Sequence, residues 1–220
     1  MGLEHSRQEF NMIIMIDDVY HAPRKGGRPL SFDRDAALQK AMVLFWQHGY
    51  EGTSLATLTA ALGVKPSSIY TAFGDKKRLF LEAVELYLAS GPAVEDVVSD
   101  GKSLKEVARE LLVNAATRFT GEETPRGCLL ATSVISCSQD SMDLQKILAG
   151  IRHHLEAKLQ VRISCAIEKG EIDPDVNPVA LAGLIMAVAQ GMSTLARDGA
   201  SRSHLMSIVD MTLASLPFQT

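Results

Sequence analysis

Cysteine is nearly absent from this 220-residue chain: Cys128, Cys137 and Cys165 form an odd set with no CxxC pair. A disulfide framework or a structural zinc site would need more thiols at closer spacing, so neither organises the protein, and a reducing cytoplasm is the expected compartment. Aromatic residues are scarce, at 5%. Strand-rich folds lean on aromatic and β-branched residues, whereas plentiful Ala, Leu, Met and Ile favour helices. Glycine (16) and proline (8) are too few for a collagen-like or low-complexity chain. Long apolar runs are missing as well. Met12–Ile16 falls far short of the roughly 20 residues a membrane span requires. Val179–Ala196 carries no charge, but Gln190, Ser193, Thr194 and two glycines interrupt it, which predicts a buried interface helix rather than a span. No cationic stretch leads into an apolar segment with a cleavage site, so no secretory leader is read.

Net charge is small, −4 overall, and by itself argues against a nucleic-acid binder. Its distribution argues the other way. Residues 1–21 carry −3, residues 22–80 carry +5 and residues 81–220 carry −6. A basic block between acidic flanks suggests a nucleic-acid-binding module on a protein with a second task elsewhere.

Helical periodicity runs through most of the chain, and period-2 alternation of useful length is absent. His21–Pro29 is a basic, proline-ended stretch without periodicity. From Ser31 or Asp33, Ala37, Leu38, Ala41, Leu44 and Phe45 follow helical spacing up to Gly49. A second helix follows Thr53 or Ser54, a third opens at Pro66 and ends at Gly74, and Asp75 caps a fourth that stops near Ser90. Five more stretches read as helical: Ser103–Thr120, Pro125–Ser138, Ser141–Lys169, Pro178–Arg197 and Ser201–Leu216. The expected fold class is all-α, with about nine helices.

The run Thr53–Lys77 carries the chemistry. Two short helices joined by Leu62-Gly63-Val64 have the spacing of a helix-turn-helix, in which the second helix enters a major groove about 12 Å wide. Gly63 suits a turn position that requires positive φ. The second helix begins Lys65-Pro66-Ser67-Ser68, small and polar, then shows Tyr70 and Thr71. Ile69 and Phe73, four apart, are the candidate inward anchors. Thr53 and Ser54 place hydroxyls and backbone N–H groups at a helix start, which suits a phosphate oxygen, and Lys76 and Lys77 are within reach of another. The same spacing also fits an ordinary helical hairpin.

Residues 34–80 resemble the N-terminal domain of TetR/AcrR-family transcriptional regulators. The features are Ala41-x3-Phe45-x3-Gly49-Tyr50-x2-Thr53-Ser54, Leu62-Gly63-Val64, Ser68-Ile69-Tyr70-x2-Phe73-Gly74-Asp75-Lys76 and Leu79-Phe80. They cover about a fifth of the chain. Arg126-Gly127-Cys128-Leu129 and Ala196–Arg202 also resemble many members. The resemblance implies a three-helix helix-turn-helix domain (31–77) after an N-terminal arm (1–30), and a helical ligand-binding and dimerisation domain (78–220). It implies a homodimer on a palindromic DNA operator, most often a repressor released by a small molecule. Thr53, Lys65, Ser67, Ser68, Tyr70, Thr71 and Lys76 occupy positions that usually face DNA. Pro66 stands where many members have Lys or Arg, so Lys65 must supply that phosphate contact. Gly27-Arg28-Pro29 resembles a basic arm found in a subset of members. Arg24, Lys25 and Arg28 either enter the minor groove or remain a solvated tail.

Two apolar stripes are assigned to the dimer. Leu181, Leu184, Ile185, Val188, Met192 and Leu195 form one, and Leu205, Ile208, Val209 and Leu216 lie on the next helix. A pocket is expected among the middle helices, where Asn114, Thr117, Cys128, Thr132, Ser136 and His154 are the scattered polar residues. Cys128 at a predicted helix start allows an alternative redox- or electrophile-sensing reading, beside that of an inert buried thiol. His153 and His154 are adjacent, without the i, i+4 spacing of a metal pair, so no metal is expected. No supported acid–base or nucleophile constellation is present, so neither an enzyme nor a cofactor is expected. A sequence-nonspecific DNA-binding protein without an inducer is the remaining alternative.

Overall fold

A computed structural model describes residues 32–92, 101–134 and 138–218. These form nine α-helices and one short 3-10 turn, with a lone antiparallel bridge between Ile172 and Phe218 as the β-pairing among the described residues. The chain divides into two compact units. The first comprises residues up to Leu88 together with Ser133–His154, and the second comprises Ala89–Thr132 together with Leu155–Thr220.

In the first unit, α1 (Arg34–Gly52) starts where the Asp33 carboxylate accepts the N–H groups of Asp35 and Ala36. The expected stop at Gly49 is a kink instead, with φ 74, after which the helix makes one more turn. The Tyr50 N–H leaves the helical ladder there and donates to the Ser133 carbonyl at 2.9 Å. Ser54 caps α2 (Leu55–Leu62), accepting the Thr57 N–H at 3.0 Å. Gly63 then turns the chain with φ 68 and ψ 28, a left-handed conformation in which a Cβ is strained. Pro66 opens α3 (Pro66–Phe73), and the Asp75 carboxylate accepts the Arg78 N–H ahead of α4 (Lys76–Ala89). Rings dominate this core. Phe45 meets Phe80 edge-on at 5.1 Å, Tyr50 meets Phe80 at 5.1 Å, and Trp46 meets Tyr87 at 4.8 Å.

In the second unit, α5 (Leu104–Phe119) begins with a reciprocal capping box between Ser103 and Glu106. It is followed by the short α6 (Leu129–Thr132), the long α7 (Met142–Glu168), α8 (Pro178–Arg197) and α9 (Arg202–Ser215). Residues 142–154 of α7 belong to the first unit and the rest to the second. The second core is aliphatic, built on Leu112, Leu159, Ile163, Ile185, Leu205 and Val209. By length and composition α8 could cross a membrane. Leu181, Ala182, Ile185, Met192 and Ala196 on it lie in this core.

The helix expected over Pro125–Ser138 is much shorter: among the described residues only Leu129–Thr132 is helical there. Gly127 has φ 84, which an α-helix does not admit. Its N–H donates to Phe119 O at 3.0 Å, and the next N–H, of Cys128, donates to the Ser193 hydroxyl at 2.7 Å. A Cβ on Gly127 would stand 2.9 Å from the Ser193 carbonyl oxygen. Close approach to α8 therefore replaces helix at this point.

Candidate nucleic-acid interface

The outward face of α3 follows from what its inward face buries. Ile69 and Phe73 are fully buried one turn apart. That orientation leaves Lys65, Pro66, Ser67, Tyr70 and Thr71 exposed and Ser68 half-buried. Ser67, Tyr70 and Thr71 lie at i, i+3 and i+4, so they share one face. Tyr70 is 54% exposed. Thr71 donates its hydroxyl to Ser67 O at 2.8 Å, which leaves the hydroxyl oxygen free to accept. Lys65 occupies the cap position of α3 without a side-chain cap bond. The structure thus gathers Lys65, Ser67, Tyr70 and Thr71 on a short exposed segment with no apolar cover among the described residues.

Ser54 is exposed at the start of α2. Its oxygen takes the Thr57 N–H, while the earliest N–H groups of the helix have no partner within it, the geometry that favours a phosphate. Thr57 is exposed beside it, its hydroxyl 2.8 Å from that of Ser54. It was not read from the sequence; its i+3 spacing from the cap was the available clue.

Thr53 is a correction. It is completely buried. Its hydroxyl donates to Gly49 O at 2.7 Å and to Leu44 O at 3.3 Å, closing α1, so the side chain offers nothing to a phosphate. Lys76 is half-buried, with its ammonium 4.2 Å above the Tyr50 ring. Burial pushes its pKa down, opposed by the nearby Glu51 charge. Lys77 pairs with Asp143. Arg24, Lys25 and Arg28, the arm residues, lie outside the described residues, as does Ser136 of the expected pocket.

A second feature escaped the sequence reading. Glu51, on the last turn of α1, accepts the Ser138 hydroxyl at 2.7 Å and the Ser138 N–H at 3.0 Å. Bonds from Ser138 and Ser141 hold its carboxyl down to about 2. Together with the Tyr50–Ser133 bond and the Lys77–Asp143 pair, they tie Ser133, Ser138 and Asp143 to the helices that carry the candidate interface. Nothing local in the sequence marks these residues as part of this unit.

Of the remaining pocket candidates, Asn114, Cys128 and Thr132 are half-buried and Thr117 is exposed, all in the second unit, whereas His154 belongs to the first. Thr132 donates to Cys128 O at 2.8 Å and accepts from Arg197 at 2.9 Å.

The dimer stripes need redrawing. Leu181, Ile185, Met192, Leu205, Val209 and Leu216 are buried in the subunit's own core and offer little or no surface to a partner. Val188 and Ile208 are half-buried against that core. Leu184 (50%) and Leu195 (38%) are exposed, and so is Met211 (72%), which lies outside both sequence stripes. The sequence stripe was centred on the inner face because both faces of α8 are apolar, and periodicity alone does not say which one points inward.

A short polar helix, anchored by two buried side chains behind a glycine turn, defines a helix-turn-helix module with a separate helical unit. Residues 37–83 match the family of bacterial regulatory proteins, tetR family, and residues 107–210 match the tetracyclin repressor-like C-terminal domain. The chain belongs to the TetR family of transcriptional regulators. It is 37% identical over 204 residues to the HTH-type transcriptional repressor ComR of Escherichia coli (strain K12), covering 91% of this chain and 97% of that protein. It is 28% identical over 188 residues to the HTH-type transcriptional repressor AcnR of Corynebacterium glutamicum, covering 84% and 93%. A cysteine mutant of the TetR family transcriptional regulator CifR, solved with a 26-base-pair double-strand operator, superposes with a TM-score of 0.80 at 38% identity, covering 87% of this chain and all of that one.

Proposed function

We propose that the chain is a transcriptional repressor that binds a palindromic operator as a homodimer and is released by a small molecule held in its second unit. The exposed Ser67–Tyr70–Thr71 face of α3, fixed from behind by Ile69 and Phe73, carries the reading. The repressor names of ComR and AcnR and the operator-bound CifR support it. Lys65 supplies a phosphate contact at the start of α3, with the Ser54 end of α2 on a second phosphate. The dimer forms through the outward faces of α8 and α9, with Leu184, Leu195 and Met211 at its centre. Two recognition helices one DNA turn apart, about 34–36 Å, then match a palindrome. The effector acts by favouring a state with the wrong separation, and linkage requires operator DNA to weaken effector binding by the same factor.

Fluorescence anisotropy with a palindrome from the gene's own upstream region, against a scrambled duplex, tests the DNA reading. Preference for the palindrome is expected; equal affinity leaves only a nonspecific binder. Lys65→Ala should reduce the slope of log affinity against log salt by about one, and an unchanged slope removes Lys65 from the phosphate contacts. Leu184→Asp should give monomers in sedimentation without unfolding the subunit, since this side chain is half exposed. A variant that remains dimeric places the interface elsewhere.

A further inference from the structure

The recognition helix α3 is eight residues long, too short to hold its shape alone in water. Ile69 and Phe73 anchor it from behind. Two anchors one turn apart define a line, and a helix can still roll about that line. The roll decides which of Ser67, Tyr70 and Thr71 reaches a base edge.

A third constraint comes from Arg34, the first residue of α1. Its Nε donates to the Ala72 carbonyl at 3.2 Å. Its Nη2 donates to the Glu82 carboxylate on α4. Its guanidinium carbon stands 4.4 Å from the centre of the Phe73 ring. The Ala72 carbonyl is among the last of α3, where the helix supplies no amide of its own. Nε and Nη2 share one edge of a rigid plane, so the α3 carbonyl and the α4 carboxylate are held at a set separation while the guanidinium carbon sits over the Phe73 ring. Side-chain exposures of 17% for Arg34 and 21% for Glu82 shield the pair from most solvent, unlike a fully solvated surface pair. Lysine has one nitrogen and no plane, so it keeps the charge and loses the clamp.

We propose that Arg34 is a positioning residue for the recognition helix: by joining the Ala72 carbonyl, the Phe73 ring and Glu82, it sets the roll of α3 and with it the preference for operator over other DNA. This rests on the operator-binding reading above and adds the residue that tunes it.

The test compares wild type, Arg34→Lys, Arg34→Ala and Glu82→Gln on two duplexes, an operator selected by the wild-type chain from random DNA and its scrambled counterpart, across a salt series. Melting of each variant is measured alongside. Arg34→Lys should lose about tenfold in operator affinity, the scale of a charge-assisted, bidentate contact, with scrambled-DNA affinity and both salt slopes unchanged. Glu82→Gln should lose less, about threefold, because the Ala72 and Phe73 contacts remain. Arg34→Lys that discriminates as well as wild type overturns the proposal. So does an equal loss on both duplexes, which is simple unfolding. Arg34→Ala that lowers the salt slope by about one also overturns it, since Arg34 would then be touching phosphate directly. A wild-type chain that selects no sequence overturns the operator reading and this proposal together, whereas the other outcomes leave that reading standing.

Discussion

The two units are built from different materials. Phe45, Trp46, Tyr50, Phe73, Phe80 and Tyr87 are all in the first, while the core of the second is made of Leu, Ile, Val, Ala and Met, with Phe119 as its buried ring. A chain with so few aromatic residues has concentrated them. Edge-to-face rings have preferred geometries worth about 0.5–1.5 kcal/mol beyond their buried area. Aliphatic cores tolerate volume-conserving exchange. A unit that presents a helix to a fixed groove gains from the first, and a unit proposed to accommodate a ligand gains from the second.

The sharpest way to break the comparison is a pair of core substitutions followed by urea unfolding. Phe45→Met in the ring cluster should cost more than about 1.5 kcal/mol, because ring geometry is lost along with shape, and Leu112→Met in the aliphatic core less than that. Similar costs would mean that the two cores do not differ in kind. Gly127→Ala comes next and shows where the second unit does not yield: left-handed backbone plus a Cβ 2.9 Å from Ser193 O should cost about 3 kcal/mol. Gly63→Ala is its counterpart in the first unit. Open space surrounds that Cβ, so only backbone strain remains, about 1–2 kcal/mol. If Gly63→Ala were the costlier of the two, the contact with α8 would not explain Gly127.

The smallest effect is acid-side. The Glu51 carboxyl lies near 2 in the folded chain, below its ordinary 4.5. A depressed carboxylate contributes stability above the ordinary value and loses it as pH falls toward the folded one. Melting temperature should therefore drop between pH 4.5 and 2 more steeply in wild type than in Glu51→Gln. Matching profiles would remove the Ser138 bonds from the stability of this unit.

Most of the helix starts were legible because a capping residue is a local event: Asp33, Ser54, Ser103, Asn177 and Ser201 each bond an amide two or three residues ahead. The glycine turn and the Ile69–Phe73 anchors of the candidate site were legible for the same reason. Thr53 was not, because a hydroxyl before a helix looks the same whether it serves the helix ahead or the one behind. The outward stripe of α8 was hidden by a helix that is apolar on both faces. The turn at Gly127 depends on Ser193, 66 positions away, and the tie from Glu51 to Ser138 spans 87. Periodicity within a short window carries no trace of either.

The interface-bearing unit is written in two separate stretches of chain, one ending at Leu88 and the other running from Ser133 to His154. A fragment cut at Lys77 would keep every predicted base contact and discard the acceptor of the Tyr50 amide and the partners of Glu51 and Lys77. The reader is therefore not a cassette. Transplanting it onto another regulator requires an insertion in the middle of the host as well as an exchange at its beginning, and recombination at a single crossover would deliver only half of it.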